Sequence, residues 1–264
     1  MSRTAIIAGQ GALAPSIAAR LDNPVIAALE GFSPPMPHQS FRLERLVPFF
    51  DWLTTQGVDR VTFAGAVRRP RLDPEAFDPR TASLVPRILA AMQTGDDAAL
   101  REVVALFEEA GFTVAGTAEI APELVPGPGI LCGEPSAADI DDATRAAEIV
   151  EGLGHLDIGQ GAVVAQGLCL AVETLPGTEA MLDFVALHRD QRPRLNGPRG
   201  VLWKAPKPGQ DRRIDLPSIG PDTVGQVARA GLGGVAWQSG GVILLEAEET
   251  AEQARAAGVF LWSR

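Results

Sequence analysis

The chain has 264 residues, 46% of them hydrophobic, enough for one large domain or two moderate ones with a buried core. Its formal net charge of −10 argues against a general nucleic-acid binder, which needs a broad basic surface. No apolar run approaches the roughly 20 residues that cross a bilayer, and the apolar N-terminal stretch is broken at Gly9-Gln10-Gly11, unlike a secretion signal, so a cytoplasmic protein is expected.

Thr4–Ala8 is a short β-type run that leads through GQGALAPSIAARL into a helix. The backbone N–H groups of Gly9, Gln10 and Gly11 are therefore candidates to receive a phosphate or ribose oxygen. The dinucleotide fingerprint is incomplete: Pro15 and Ser16 stand where its third glycine belongs. No acidic residue closes a second strand about 20 residues later, which disfavours a nicotinamide cofactor. A tight strand–helix turn explains the glycine pair equally well. Asn23–Leu29 is a second strand candidate. Leu43, Leu46, Val47, Phe50 and Leu53 have helical spacing across Arg42–Gln56. Arg60–Ala64 (RVTFA) reads as a strand closed by Gly65. Arg68 and Arg69 follow it, at the carboxyl edge where open parallel sheets bind ligands, so Arg68 is a candidate contact for a pyrophosphate or a uracil carbonyl. Leu84–Met92 and Asp97–Ala110 read as helices with Asp96 or Asp97 as N-cap, and Phe112–Ala115 resumes a strand. This alternation predicts an α/β domain with a parallel sheet and helices on its faces.

The Pro/Gly-rich segment Pro122–Pro135 reads as a connection, dividing the chain into an N-terminal domain, 1–133, and a C-terminal domain, 134–264. A helix over Ala138–Leu153 follows, with Asp139, Asp141 and Asp142 complementing its N-terminal dipole. Gly161–Gln166 and Leu168–Glu173 form a hairpin-like pair across Gly167. Further strands are expected at Gly200–Lys204, Gly234–Trp237, Val242–Glu246 and Val259–Trp262, with a helix near Pro221–Ala230. The C-terminal domain is accordingly α+β. Cys132 and Cys169 lie in apolar strand-like runs without metal-ligand spacing, and core positions are expected for both. His38, His155 and His188 are scattered and lend little support to a zinc site or a triad.

The densest charge lies in KAPKPGQDRRIDLPSIG, from Lys204 to Gly220. Pro206, Pro208 and Pro217 preclude a continuous helix there, so a loop presents lysine, arginine and aspartate together. Cations suit phosphate oxygens; carboxylates suit a divalent metal or an activated water. A self-neutralising surface loop is the plain alternative. Asp157-Ile158-Gly159-Gln160-Gly161 precedes the β pair, Glu173 ends it, and Gly177-Thr178 follows. Polar groups at strand ends around glycines are ligand-facing candidates, although turn chemistry explains each singly.

Taken in order, AGQGALAPSIA, FAGAVRRP, TGDDAALREVVALFEEAGF, DIGQGAVVAQGLCLAVETLPGTEAML and GVLWKAPKPGQDRRIDLPSIGPDTV resemble the LpxI family of UDP-2,3-diacylglucosamine pyrophosphatases. The blocks run from Ile6 to about Gly241 in family order. Departures are Pro176 before Gly177, Trp203 in the GVLWK strand, and Glu179 where the family commonly has Asp. The resemblance implies two domains, the N-terminal one a Rossmann-like parallel sheet with helices on both faces and the C-terminal α+β domain catalytic. It also implies a cytoplasmic, Mg²⁺-dependent step in lipid A biosynthesis that yields UMP and 2,3-diacylglucosamine 1-phosphate (lipid X). The family has an essential aspartate in its C-terminal domain. Asp211 and Asp215 both qualify and are the candidate catalytic and metal-ligating residues. Lys204, Lys207 and Arg213 are expected to contact phosphates, with Gln210 as a hydrogen-bond partner. Asp157, Gln160, Glu173, Gly177 and Thr178 are expected to line the same site, and Gly9, Gln10, Gly11 and Arg68 the uridine diphosphate side. Met181, Leu182, Phe184 and Val185 suit an acyl groove or, equally, a core face. The expected partner is an amphipathic UDP-sugar lipid met by transient contact with the inner membrane surface, without nucleic acid; a homodimer is left open. The competing readings are another UDP-sugar hydrolase or transferase, and a non-catalytic nucleotide- or lipid-binding module.

Overall fold

The computed structural model describes residues 3–67, 71–192, 194 and 196–264, with Asp96 described by its backbone. Arg68 lies outside the described residues. Two compact units form: Met1–Pro122 with Asp211–Asp215, and Glu123–Gln210 with Leu216–Arg264.

The first unit runs β1 (Arg3–Ala8), α1 (Leu13–Ala18), β2 (Val25–Leu29), β3 (Gln39–Phe41), α2 (Leu46–Thr55), β4 (Val58–Ala64), α3 (Pro79–Ala82), α4 (Val85–Thr94), α5 (Asp96–Glu109), β5 (Thr113–Val114) and α6 (Thr117–Ile120). Its five strands are all parallel, in the order β3-β2-β1-β4-β5. The chain winds outward from β1 one way, then returns through α2 to β4 and winds the other. Right-handed crossovers then place α1 on one face and α2, α4 and α5 on the other. Period-two alternation matches this. Ala5 and Ile7 of β1 join Val61, Phe49, Leu53, Val104 and Phe107 in one core. Ile6 and Ala8 turn to the opposite face, the side on which α1 buries Ala14 and Ile17. The expected doubly wound parallel sheet is present. The N-cap of α5 is Gly95 rather than an aspartate; Asp97 pairs with Arg101 one turn on at 2.5 Å.

The second unit runs β6 (Gly129–Cys132), α7 (Ala137–Gly154), β7 (Gly161–Ala165), β8 (Leu168–Val172), α8 (Gly177–Leu187), β9 (Val201–Lys204), β10 (Ser218–Ile219), α9 (Pro221–Arg229), β11 (Gly234–Trp237), β12 (Ile243–Leu244), α10 (Ala247–Ala257) and β13 (Phe260–Ser263). The main sheet has the order β6-β13-β11-β9-β7-β8, with β9, β11 and β13 parallel and the flanking strands antiparallel. β6 lies upstream of the 133/134 junction expected from the sequence, yet it pairs with β13 and so belongs to this sheet. β10 and β12 form a separate parallel pair.

Helices cover both faces of this mixed sheet. On one, Ala143, Ala146 and Val150 of α7 meet Ala162, Val164 and Trp203. On the other, Met181, Leu182 and Val185 of α8, Val224 of α9 and Ala254 of α10 meet Val163, Leu202 and Trp237. Ser136 caps α7 in a reciprocal box: its Oγ accepts the Asp139 N–H at 3.3 Å, and Asp139 accepts the Ser136 N–H at 2.9 Å. Asp142 does more than favour the helix dipole. It is 2% exposed and accepts the N–H groups of Gln166 (3.0 Å) and Gly167 (2.7 Å), clamping the β7–β8 turn. Both turn residues have positive φ, 57° and 76°, the backbone a two-residue hairpin requires. Cys132 is buried as expected, whereas Cys169 is exposed, because β8 is the edge of the sheet. Among the described residues no helix is long and apolar enough to cross a membrane.

Candidate functional site

Alternation along β9 decides where Lys204 points. Val201 and Trp203 face α7, so Leu202 and Lys204 face α8 and α9. Lys204 ends the strand, and its register partners are Gly161 on β7 and Trp237 on β11. Its side chain is 7% exposed and Glu173, just past β8, is 14% exposed. Nζ of Lys204 donates to Thr178 Oγ1 at 2.7 Å and to the Ser218 carbonyl at 3.5 Å, and lies 3.6 Å from Glu173 Oε2. Thr178, in the first turn of α8, donates in turn to Glu173 Oε2 at 2.9 Å. A buried ammonium, a hydroxyl and a carboxylate thus form one linked group. Two glycines make room for it. A Cβ on Gly161 would stand 2.8 Å from Glu173 Oε2, and one on Gly159 would stand 2.0 Å from the Glu173 carbonyl oxygen.

A second group lies in the same unit. Lys207, whose side chain is 12% exposed, pairs with Asp157. Gln210 Oε1 accepts from Gln160 Nε2 at 3.0 Å and from the Lys207 N–H at 2.8 Å. The Ala205 N–H donates to the Gln160 carbonyl at 3.0 Å. Asp157 holds φ at 57°, the left-handed region that Asp tolerates better than most residues. Gly177, also with positive φ, donates its N–H to the Thr174 carbonyl and so closes the turn into α8. The structure therefore gathers Lys204, Glu173 and Thr178 into one cluster and Lys207, Asp157, Gln160 and Gln210 into another, all within the second unit.

Asp211, Arg213 and Asp215 belong to the first unit. Arg213 was expected to contact phosphate; instead it folds back on carboxylates. Its Nε and N–H donate to Asp211 Oδ1, each at 3.0 Å, and its two terminal nitrogens reach Asp211 Oδ2 and Glu108 Oε1, each at 2.7 Å. These bonds from Arg213 hold the Asp211 carboxyl below its ordinary pKa against the opposing cost of burial. The Arg213 guanidinium is raised in turn, chiefly by Asp211 and then by Glu108. The Ile214 N–H donates to the Asp211 carbonyl at 3.2 Å, and Asp215 is half-buried. The bonds around Asp211 make it the knot of this loop. A carboxyl with a depressed folded pKa stabilises above the ordinary carboxylate range of about 4, and the benefit is lost as pH falls through the depressed value. Asp211→Asn is therefore expected to flatten the acid side of the stability–pH curve. With both partners partly exposed, the effect is at most about 1 kcal/mol. Thermal melts of both proteins from neutral to acidic pH check this, and parallel curves would refute the role.

The Gly9 and Gln10 N–H groups are not offered to a ligand. They donate to the carbonyls of Ala64 (2.8 Å) and Ala66 (2.9 Å). A Cβ on Gly9 would stand 2.5 Å from the Ala66 carbonyl oxygen, so this glycine serves close backbone approach at the β1/β4 edge. Gly11 has φ of 97° and opens a helix of six residues.

For a divalent metal, no group of three or more His, Cys, Asp or Glu side chains is assembled among the described residues. Asp211 is a poor ligand in this arrangement, because a guanidinium occupies both its oxygens. Asp215 is the other carboxylate of the loop. Sequence reasoning missed Ser218, Trp237 and Glu108, which carry no local motif. The spacing of Gly159 and Gly161 was the one signal that a side chain packs against that backbone. A cavity of about 500 Å³ bordered by Glu134, Asp139, Arg199 and Arg255 opens at the amino edge of the parallel strands, opposite the end that carries Lys204, and includes none of the candidate residues.

Comparison with known proteins agrees with this two-unit organisation. The LpxI N-terminal domain matches residues 3–124 and the LpxI C-terminal domain matches residues 127–262. The UDP-2,3-diacylglucosamine pyrophosphatase LpxI of Caulobacter vibrioides is 36% identical over 271 residues, covering 99% of this chain and 97% of that protein. With both domains matched in order across nearly the whole length, the chain belongs to the LpxI family.

Proposed function

We propose that this chain hydrolyses the pyrophosphate bond of UDP-2,3-diacylglucosamine, giving UMP and 2,3-diacylglucosamine 1-phosphate for lipid A biosynthesis, as the name of its Caulobacter relative suggests. The observation that carries the reading is the buried Lys204 ammonium, held by Thr178 and Glu173 at a strand's carboxyl end. A pyrophosphate diester carries two negative charges that repel an incoming water. A cation fixed before the substrate arrives offsets that charge and the charge that develops on the leaving phosphate. Lys204 is assigned to phosphate oxygens. Thr178 orients the ammonium, accepting from it while donating its one O–H to Glu173. Glu173 acts through Lys204, fixing its position. Lys207, set by Asp157, is the second cation, and Gln160 and Gln210 fix the loop that carries it.

Mg²⁺ is proposed as the resident cofactor, with Asp215 the residue that would hold it; one carboxylate suits an ion that keeps most of its waters. When bound, the ion supplies further neutralisation of phosphate charge. EDTA is expected to reduce UMP release to background and Mg²⁺ to restore it. Asp215→Asn is expected to lose at least about 100-fold in kcat, the scale of one lost transition-state contact. Asp211→Asn, which disturbs the loop, should lose less. Indifference to EDTA, or a fully active Asp215→Asn protein, would remove the metal assignment.

A further inference from the structure

The carboxyl edge of the parallel sheet in the first unit carries a charged group that has no part in the phosphate chemistry proposed above. β2 ends at Leu29, and Glu30 is the next residue, about 20 residues past Gly11. An acid therefore does close the second strand, contrary to what the sequence alone suggests. From that position a carboxylate takes ribose hydroxyls in doubly wound nucleotide-binding folds. The neighbouring strand ends alike: β3 closes at Phe41, and Arg42 follows. The Glu30 N–H donates to the Phe41 carbonyl at 2.7 Å, which carries the β2–β3 ladder one step further.

Arg42 is fixed by a buried partner. Its Nε lies 3.4 Å from Oε2 of Glu44, whose side chain is 6% exposed, and 3.3 Å from Oε2 of Glu30. Its Nη2 lies 3.9 Å from Asp73 Oδ2, and the second oxygen of Glu44 accepts the Asp73 N–H at 2.8 Å. Glu30 is different: its side chain is 61% exposed, and among the described residues its Oε1 meets no partner. One oxygen is held by the guanidinium and the other is offered outward.

The charge balance says which end of a nucleotide fits. One guanidinium faces the carboxylates of Glu30, Glu44 and Asp73, so phosphate is repelled and hydroxyl donors are favoured. A ribose diol supplies two such donors to one carboxylate. The phosphate half of the dinucleotide pattern is missing here: the Gly9 and Gln10 N–H groups are spent on Ala64 and Ala66, and α1, with six residues, is too short to hold an anion. Phosphates have a place further along the same edge. A Cβ on Gly116, two residues past β5, would stand 2.9 Å from the Arg213 Cα, so the loop that carries Asp215 lies against the end of β5. β1 and β4 separate β2 from β5, which makes three strand spacings, or about 14 Å. An extended nucleoside diphosphate covers that order of distance.

We propose that Glu30, positioned by Arg42, accepts the 2′- and 3′-hydroxyls of the substrate's ribose and so sets a preference for ribonucleotides. This inference rests on the activity proposed above, whose substrate carries a uridine diphosphate. The test is isothermal titration calorimetry of the full chain with UDP and with 2′,3′-dideoxy-UDP, each with Mg²⁺. The wild type should bind UDP at least about tenfold more tightly, the scale of a hydrogen bond to a charged group. Glu30→Ala should weaken UDP binding about tenfold and leave the dideoxy compound within about twofold, abolishing the preference. The side chain is largely exposed and Arg42 keeps Glu44, so the fold should hold, which a thermal melt checks. With detergent-dispersed UDP-2,3-diacylglucosamine the same variant should lose about tenfold in kcat/KM, through KM, as a contact made equally in the ground and transition states does. Arg42→Lys keeps the charge but not the fork, and should reduce the ribose preference several-fold. An unchanged preference in that variant would remove the positioning role. Equal affinities for the two nucleotides, no UDP binding, or a Glu30→Ala protein that still prefers ribose overturns the proposal and leaves Glu30 a surface ion pair. A wild type that prefers ribose yet releases no UMP from the lipid substrate fails the activity reading instead, with Glu30 still a ribose contact.

Discussion

Lys204→Met is expected to lower UMP release by about 10²–10³-fold, the usual loss when one preorganised charge-stabilising group is removed. The side chain is nearly isosteric, so the packing of a strand residue that is 5% exposed is preserved. What goes is the cation. The same change strips Glu173, 14% exposed, of its ion pair and leaves its carboxylate with Thr178, a structural cost of about 1–3 kcal/mol. Activity and stability must therefore be separated. Lys204→Met combined with Glu173→Gln removes the stranded charge, so it should regain most of the lost stability and none of the lost turnover. Paired kinetics and thermal melts of the single and double variants decide this. A single variant that keeps a third of wild-type turnover, or a double variant that regains activity, would show that Lys204 is merely a satisfied core lysine.

Gly159→Ala carries the next largest effect. Gly159 has φ of 55°, and an added Cβ would lie 2.0 Å from the Glu173 carbonyl oxygen and 2.7 Å from its carbon. Both contacts are to backbone, which cannot swing aside as a flexible side chain would. Left-handed geometry costs an alanine about 1–2 kcal/mol, and overpacking adds about 1–3 kcal/mol. The sum is roughly 2–5 kcal/mol, a melting-temperature drop of about 5–15 °C for a unit of this size. Because the displaced backbone belongs to Glu173, turnover should fall with stability. Gly209→Ala is the control: its φ of 77° is also left-handed, but an added Cβ meets nothing within 4 Å. That variant should lose about 1 kcal/mol and keep its activity. Equal melting temperatures for the two would contradict the steric account.

The parts of the fold legible in the sequence are those with a clear period. Arg42–Gln56, Asp97–Ala110 and Ala138–Leu153 show helical spacing, and α2, α5 and α7 are where it says they are, within a few residues. β3 was not legible, because a three-residue edge strand with Gln39 and Ser40 exposed and Phe41 half-buried carries no alternation. α8 escaped for the opposite reason: with apolar residues on both faces it presents no contrast for a period to detect. α10, AEETAEQARAA, buries Thr250, Ala251 and Ala254, side chains too small to register as an apolar stripe. β6 was legible as a strand-like run around Cys132, but its place in the C-terminal sheet was not, because it lies in a Pro/Gly-rich stretch that reads as a linker until its partner β13, some 130 residues on, is known.

For the site, residue types were legible and groupings were not. The charged loop named Lys204, Lys207, Gln210, Asp211, Arg213 and Asp215 together. Which partners each of them meets was not legible, because direction is set by strand alternation at Lys204 and by a partner 105 residues away at Arg213, which meets Glu108. The link between Lys204, Thr178 and Glu173 depends on β7 and β8 lying beside β9, a tertiary fact with no local signature. Gly9 and Gln10 misled for a related reason. A Gly-x-Gly turn looks the same in sequence whether its N–H groups face a phosphate or the carbonyls of Ala64 and Ala66.

Product analysis of the purified chain with UDP-2,3-diacylglucosamine and Mg²⁺ is the most direct check, with nucleotide and lipid products followed together by mass spectrometry. Equimolar UMP and 2,3-diacylglucosamine 1-phosphate is the result that cleavage between the two phosphorus atoms requires. UDP with free 2,3-diacylglucosamine would place the cut at the sugar, and intact substrate would mean binding without turnover; either contradicts a pyrophosphatase.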